Sequence, residues 1–264
     1  MGVVNVTPDS FSDGGLYLDV DAAVAHAEEL VREGAQIIDV GGESTRPGAE
    51  PVPLSDELER VLPVVERLPD VTVSIDTRNA AVASAALQAG ARIVNDVSAF
   101  RHDPSMAGVV AGAGAGCCLM HMLGDDPRTM QADPRYDDVV SEVKAFLEER
   151  LAFAVGEGVG EDRIWLDPGI GFGKTIEHNL ELLRRLGEIV AIGRPVVVGT
   201  SRKSFLGRLT GRAEQERDPA TVATNVIAYE RGASVFRVHE VRGTVDALTV
   251  AAATFSDPWT TTTT

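Results

Sequence analysis

Aromatic side chains are scarce in this chain, at 5% of 264 residues, while Ala, Val and Gly are abundant. Small side chains of this kind suit helices packed closely on a parallel sheet. Basic residues are also in the minority: 24 Lys and Arg face 40 Asp and Glu, for a formal net charge of −16. So acidic a chain repels nucleic acid and anionic membrane surfaces, which argues against a role on DNA, RNA or phospholipid. It leaves room for a small anionic substrate, because a local basic cluster overrides the global field at short range. There are two cysteines, Cys117 and Cys118, adjacent in an apolar run, and they are expected to be buried reduced thiols rather than a staple. No apolar run approaches the ~18 residues that span a bilayer. The opening Met1-Gly2-Val3-Val4-Asn5 has no basic segment followed by a long apolar one, so the cytoplasm is the expected location.

Several chemistries lack their motifs. His26, His102, His121, His178 and His239 show no zinc-ligand spacing, and His121 reads equally as a structural or a functional histidine. No Gly-x-Ser-x-Gly elbow exists for a serine hydrolase. The run Gly169-Ile170-Gly171-Phe172-Gly173-Lys174-Thr175 looks like a phosphate loop, but Pro168 stands where such a loop needs Gly. A turn with close backbone approach is the better reading.

What is present is an alternation. Apolar, Val- and Ile-rich runs at 2–6, 36–40, 71–75, 92–95, 116–121, 163–167, 195–199 and 234–239 read as strands. Helical patterns at 21–34, 54–68, 79–90, 104–113, 137–157, 177–191, 217–232 and 241–255 separate them. Continuous apolar strands belong to a parallel sheet covered on both faces, and eight strand–helix units favour a single closed (β/α)8 TIM barrel. The barrel is expected over residues 1–256. The threonine-rich end, 257–264, reads as a disordered tail.

The strands finish on polar residues: Asn5, Asp39, Asp76, Asn95-Asp96, His121, Asp167, Thr200-Ser201-Arg202-Lys203, and Arg237 with His239. One polar strand end is usually a cap or a turn. All eight at the same end converge on one barrel face, where such enzymes keep their active sites. The Gly-, Pro-, Asp- and Ser-rich loops 7–20, 41–53, 122–136 and 200–216 open on that face. Asp76, Asp167 and Asn95 can read a flat heterocycle, and Lys203, Arg237 and Arg46 can hold an anionic tail.

At this point the residues resemble the dihydropteroate synthases. Gly2-Val3-Val4-Asn5-Val6-Thr7-Pro8-Asp9-Ser10-Phe11-Ser12-Asp13-Gly14-Gly15 is similar to that family's first signature, and Gly41-Gly42-Glu43-Ser44-Thr45-Arg46-Pro47-Gly48 to its second. Ser74-Ile75-Asp76-Thr77, Asn95-Asp96-Val97-Ser98, the run from Asp167 to Thr175, Ser201-Arg202-Lys203-Ser204 and Arg237-Val238-His239 continue the match in order, to about residue 250. Glu240 departs from it, standing where many relatives have Asp.

The resemblance implies a transferase that joins 6-hydroxymethyl-7,8-dihydropterin diphosphate to 4-aminobenzoate by a dissociative route, releasing pyrophosphate in folate biosynthesis. It implies that Asp76, Asn95, Asp167 and Lys203 bind the pterin, with Met120 and Phe172 packed near it. Asn5, Arg237 and His239 would bind the diphosphate, with Mg²⁺ near Asn5. Phe11, Thr45, Pro47, Ser201 and Lys203 would form the aminobenzoate pocket. Asp13 and Arg46 would meet over the site during catalysis, with Lys203 the third catalytic group. The partners implied are these small molecules and a second copy of the chain, with no nucleic acid and no membrane. Two other readings are a corrinoid-dependent methyltransferase domain, which would lack the paired front signatures, and a non-catalytic pterin-binding paralogue, which would have lost polar residues of the site.

Overall fold

Runs of apolar and β-branched residues, too short for stable helices, pair side by side in chain order. In the computed structural model, which describes residues 1–7, 15–44, 51–127 and 129–255, these are β1 (Gly2–Asn5), β2 (Ile37–Gly41), β3 (Thr72–Asp76), β4 (Ile93–Asp96), β5 (Gly116–Met120) and β6 (Ile164–Asp167). They form one parallel sheet in the order β1 to β6, and β7 (Val197–Val198) pairs in parallel with β8 (Val235–Phe236). Two bridges join the pieces into a ring. Leu166 of β6 pairs with Val196 beside β7, and Gly2 of β1 pairs with Val238 just beyond β8. The expected TIM barrel is therefore the fold. Each strand lies within a few residues of its expected place, because buried parallel strands are unbroken apolar runs.

The helices α1 (Gly15–Arg32), α2 (Leu54–Glu66), α3 (Ala80–Ala89), α4 (Met106–Ala113), α5 (Val139–Gly156), α6 (Ile176–Arg184), α7 (Leu186–Val190), α8 (Ser204–Thr210), α9 (Asp218–Glu230) and α10 (Arg242–Phe255) follow the strands. Their apolar faces cover the outside of the ring. In α5, Val139, Val140, Val143 and Leu147 recur at helical spacing and are buried; Asp138 caps it, its side chain accepting from Val140 N. Leu147 is fully buried, and truncating such a residue costs about 2–5 kcal/mol. Cys117 and Cys118 are unbridged and buried. Burial pushes Cys117 up to about 12, so the thiols are inert packing.

Three boundaries differ from expectation. The helix expected over 177–191 is two helices, broken at Arg185 (φ −105°, ψ 21°). The stretch 200–216, read as loop, contains α8, whose seven residues are too few to show a helical period; Gly211 ends it at φ +71°. α1 begins at Gly15, inside the turn-rich stretch 7–20. The expected tail, 257–264, lies outside the described residues.

Candidate active site

Side chains alternate faces along a strand, so register decides which polar strand ends meet. Asn5 pairs with Gly41, Gly41 with Asp76, and Asp76 with Asn95, which makes one layer across β1 to β4. Asp39, two residues before Gly41, shares its face one layer deeper. From beyond β8, Arg237 reaches across this layer. Its Nε donates to Asp39 Oδ2 at 2.6 Å and its Nη2 to Asp76 Oδ2 at 2.7 Å. Asn95 Nδ2 donates to the same Asp39 oxygen at 3.1 Å. Asp39 is fully buried, and its Oδ1 has no hydrogen-bond partner among the described residues. Burial pushes Asp76 up to about 7 against the pull of Arg237. Burial also opposes the charge on Arg237, yet Asp39 and Asp76 outweigh it and hold its pKa above the ordinary value. Asp96 points the other way. Its carboxylate accepts from Ser98 N, Ser98 Oγ and Phe100 N at 2.7–2.9 Å, so it builds the turn after β4 rather than the site.

The opposite wall is made by the chain after β6 and β7. Asp167 Oδ1 accepts from Gly169 N at 2.6 Å, and burial raises the Asp167 pKa, with Lys203 opposing. Gly169 has φ +66°, and a Cβ there would lie 1.9 Å from His121 O, so only glycine fits. This is the close-approach turn the sequence suggests. Met120 is buried with Val97, Met122 and Met130, and Phe172 packs on this cluster. Lys203 Nζ lies 4.6 Å from the centre of the Phe172 ring and donates to Ile170 O. Burial lowers its pKa to about 8, with Asp167 opposing.

A strained turn aims Lys203. Arg202 has φ +56°, a left-handed conformation costing a non-glycine residue roughly 1–2 kcal/mol. It is held from α9: Arg202 Nε and Nη2 donate to Asp218 at 2.7 and 2.8 Å, and Arg202 N donates to Thr221 Oγ1 at 3.1 Å. Ser201 Oγ accepts from His239 N at 3.1 Å and lies 2.9 Å from His239 Nδ1, which joins the β7 and β8 strand ends.

Thus Asp76, Asn95 and Arg237 form a paired floor, Asp167, Met120, Phe172 and Lys203 a wall, and Ser201 and His239 the link between them. Asn5 ends β1 in the layer of Asp76. Phe11, Asp13, Thr45, Arg46 and Pro47 lie outside the described residues. Asp39, which the sequence marks only as a strand end, is the hub of the floor. A charged residue inside the apolar run Ile37-Ile38-Asp39-Val40 was the available signal, since a buried charge needs a partner. Lys174, read as one residue of a rejected phosphate loop, is buried, with Nζ 2.9 Å from His121 Nδ1. No signal in the sequence pairs those two.

Ring and convergent polar mouth define a (β/α)8 barrel enzyme. The chain matches the family described as pterin binding enzyme over residues 1–239. It is 52% identical to the dihydropteroate synthase of Mycobacterium leprae (strain TN), across 96% of this chain and 92% of that protein. Superposed on Xanthomonas albilineans dihydropteroate synthase with 4-aminobenzoic acid, it gives a TM-score of 0.92 at 48% identity, covering 98% of this chain and 93% of that one. For the same enzyme in complex with 7,8-dihydropteroate the TM-score is 0.88 at 45% identity, covering 98% and 94%. The chain belongs to the dihydropteroate synthase family, whose members are transferases. Among the described residues no helix is long and apolar enough to cross a membrane.

Proposed function

We propose that this chain condenses 6-hydroxymethyl-7,8-dihydropterin diphosphate with 4-aminobenzoate, giving 7,8-dihydropteroate and pyrophosphate. The observation that carries the reading is the meeting of Asp76, Asn95, Asp167, Lys203 and Arg237 at one barrel mouth in a chain of this family. The carboxylates and the amide of Asn95 read the ring N–H groups and carbonyl of the pterin, and Met120 and Phe172 supply its apolar contact. Arg237, His239 and Asn5 face the diphosphate. Ser201 and Lys203, with Phe11, Thr45 and Pro47, bind the aminobenzoate, and Asp13 and Arg46 close over it. Residues 1–256 act as one pterin-binding domain.

The bond between the pterin methylene and the diphosphate oxygen breaks first, and its electron pair leaves with pyrophosphate. The amine nitrogen of aminobenzoate then bonds to the methylene carbon and loses a proton to solvent. A weakly basic aniline needs no strong general base. Cations fixed before the reaction stabilise the departing charge, usually the largest catalytic contribution. Among the described residues no three His, Cys, Asp or Glu side chains gather as a metal cage. The amide of Asn5 suits Mg²⁺ held mostly by diphosphate oxygens and waters. When bound, Mg²⁺ would neutralise part of the leaving group's charge.

The protein works in the cytoplasm as a homodimer. The apolar groove between α9 and α10, about 630 Å³ and lined by Val226, Ala247, Val250 and Phe255, supports the second part. So does the exposure of Val250 and Phe255 in its lining and of Ile227 on α9. The decisive assay incubates the protein with both substrates and Mg²⁺. Both dihydropteroate and pyrophosphate are expected, and failure to form either sinks the reading. EDTA should abolish turnover while leaving the affinity for bare 6-hydroxymethyl-7,8-dihydropterin unchanged.

A further inference from the structure

The loop between β6 and α6 carries glycine at 169, 171 and 173, each with φ between +66° and +84°. Alternating glycines give a backbone with many accessible conformations. Yet four successive carbonyls in it are each held by a side chain. Ile170 O accepts from Lys203 Nζ, Gly171 O from Gln131 Nε2, Phe172 O from Lys174 Nζ at 3.0 Å, and Gly173 O from the Tyr136 hydroxyl at 2.9 Å. Asn179 Oδ1 accepts from Gly171 N at 2.7 Å. Gln131 and Tyr136 come from the chain between β5 and α5, which also supplies Met122 and Met130 to the cluster on which Phe172 packs.

Lys174 is the unusual member. It is 4% exposed, and its two hydrogen-bond partners among the described residues are a carbonyl and the Nδ1 of His121, neither of them an anion. Burial lowers the pKa of both groups, His121 to about 2 and Lys174 well below its ordinary value. An apolar residue would fill this space at less desolvation cost. What the amine adds is an N–H aimed at the carbonyl of Phe172, the residue whose ring packs on Met120 and under the ammonium of Lys203.

We propose that Lys174, Tyr136 and Gln131 are positioning residues that clamp the backbone of residues 170–173, and so fix the Phe172 ring in the geometry that receives the pterin. The clamp rests on the pterin-binding role proposed for Phe172.

Calorimetry with bare 6-hydroxymethyl-7,8-dihydropterin tests it on Lys174→Met, Tyr136→Phe, Phe172→Ala and the Lys174→Met/Phe172→Ala double variant. Lys174→Met is expected to weaken binding about tenfold, and Tyr136→Phe to weaken it less. The double variant should bind no worse than Phe172→Ala alone, because the two changes act through one ring. In turnover, Lys174→Met should raise the KM for the pterin diphosphate with kcat within about twofold of the parent. A lowered melting temperature with unchanged pterin affinity would mark a structural role only and overturn the proposal. Additive losses in the double variant would also overturn it. If Lys174→Met fails to fold, Tyr136→Phe, which removes a single hydroxyl, decides alone. Normal binding by Phe172→Ala would defeat the pterin reading of the wall itself; weakened binding there with parental binding in both clamp variants would defeat the clamp only.

Discussion

The floor and the wall of the barrel mouth hold their polar groups by opposite means. On the floor, Asp39, Asp76, Asn95 and Arg237 are paired with one another, charge against charge. On the wall, Lys203, Lys174, Tyr136 and Gln131 are tied to backbone carbonyls. A ligand can trade places with a side-chain partner, so the floor can exchange its contacts for those of a substrate. A carbonyl that holds a donor is part of the frame. Recognition by exchange on one side and by fixed shape on the other is what the contrast teaches.

The comparison breaks most visibly at Arg237. Replacing it by Met leaves two carboxylates facing each other without a cation, and removing one partner of such a buried pair costs about 3–5 kcal/mol. Urea denaturation of Arg237→Met at pH 8 should show a loss of this size. Part of it should return at pH 5, where a protonated carboxyl needs no counterion. A loss below about 1 kcal/mol, the size of an exposed pair, would mean that the floor is not held by charge.

Asp76 sharpens the same point. Its folded pKa of about 7 lies above its ordinary 3.8, so the folded state binds the proton more tightly. Its contribution to stability is therefore complete below about pH 4 and is lost as the pH rises through 7. Asp76→Asn should flatten that part of the stability profile and weaken pterin binding by roughly 1–3 kcal/mol, the cost of an unsatisfied buried donor. Denaturation midpoints from pH 4 to 8, with calorimetry, check both; an unchanged slope would assign the dependence to Asp96, Asp167 or Glu57, which burial also raises.

The smallest effect belongs to the wall. Lys203 loses its proton near pH 8, so the affinity for pterin diphosphate should fall by about tenfold as the pH passes from 7 to 9, the value of one charge-assisted contact. Lys203→Met should bind more weakly at pH 7 and show no such fall. A parent profile that stays flat to pH 10 would place the ammonium away from the ligand.

Much of this was legible from the residues alone. Strands announced themselves as short, mainly apolar runs, and the direction of a parallel barrel then put every polar strand end at one mouth. What stayed hidden depends on contacts between distant segments. Nothing local tells Asn95, which points into the barrel, from Asp96, which points out; the pairing of Asp76 with Asn95 across β3 and β4 decides it. Tyr136 reaches the Gly173 carbonyl, and Lys174 meets His121, across 37 and 53 residues of chain. Arg202 sits in a left-handed turn with no glycine to mark it, because its fork to Asp218 in α9 supplies the restraint.

The ring closes through two strands of two residues each and single bridges at Leu166–Val196 and Gly2–Val238. Six strands zip together along their length, but the seam is fastened at points. Amide protons along the seam should therefore exchange with solvent through small openings, while those of β2 to β5 wait for the whole domain to unfold. Ser201, Lys203, Arg237 and His239 all project from this seam. A ligand that grips them closes what the backbone leaves half-fastened, and its binding energy becomes protection against exchange in the least secure stretch of the barrel.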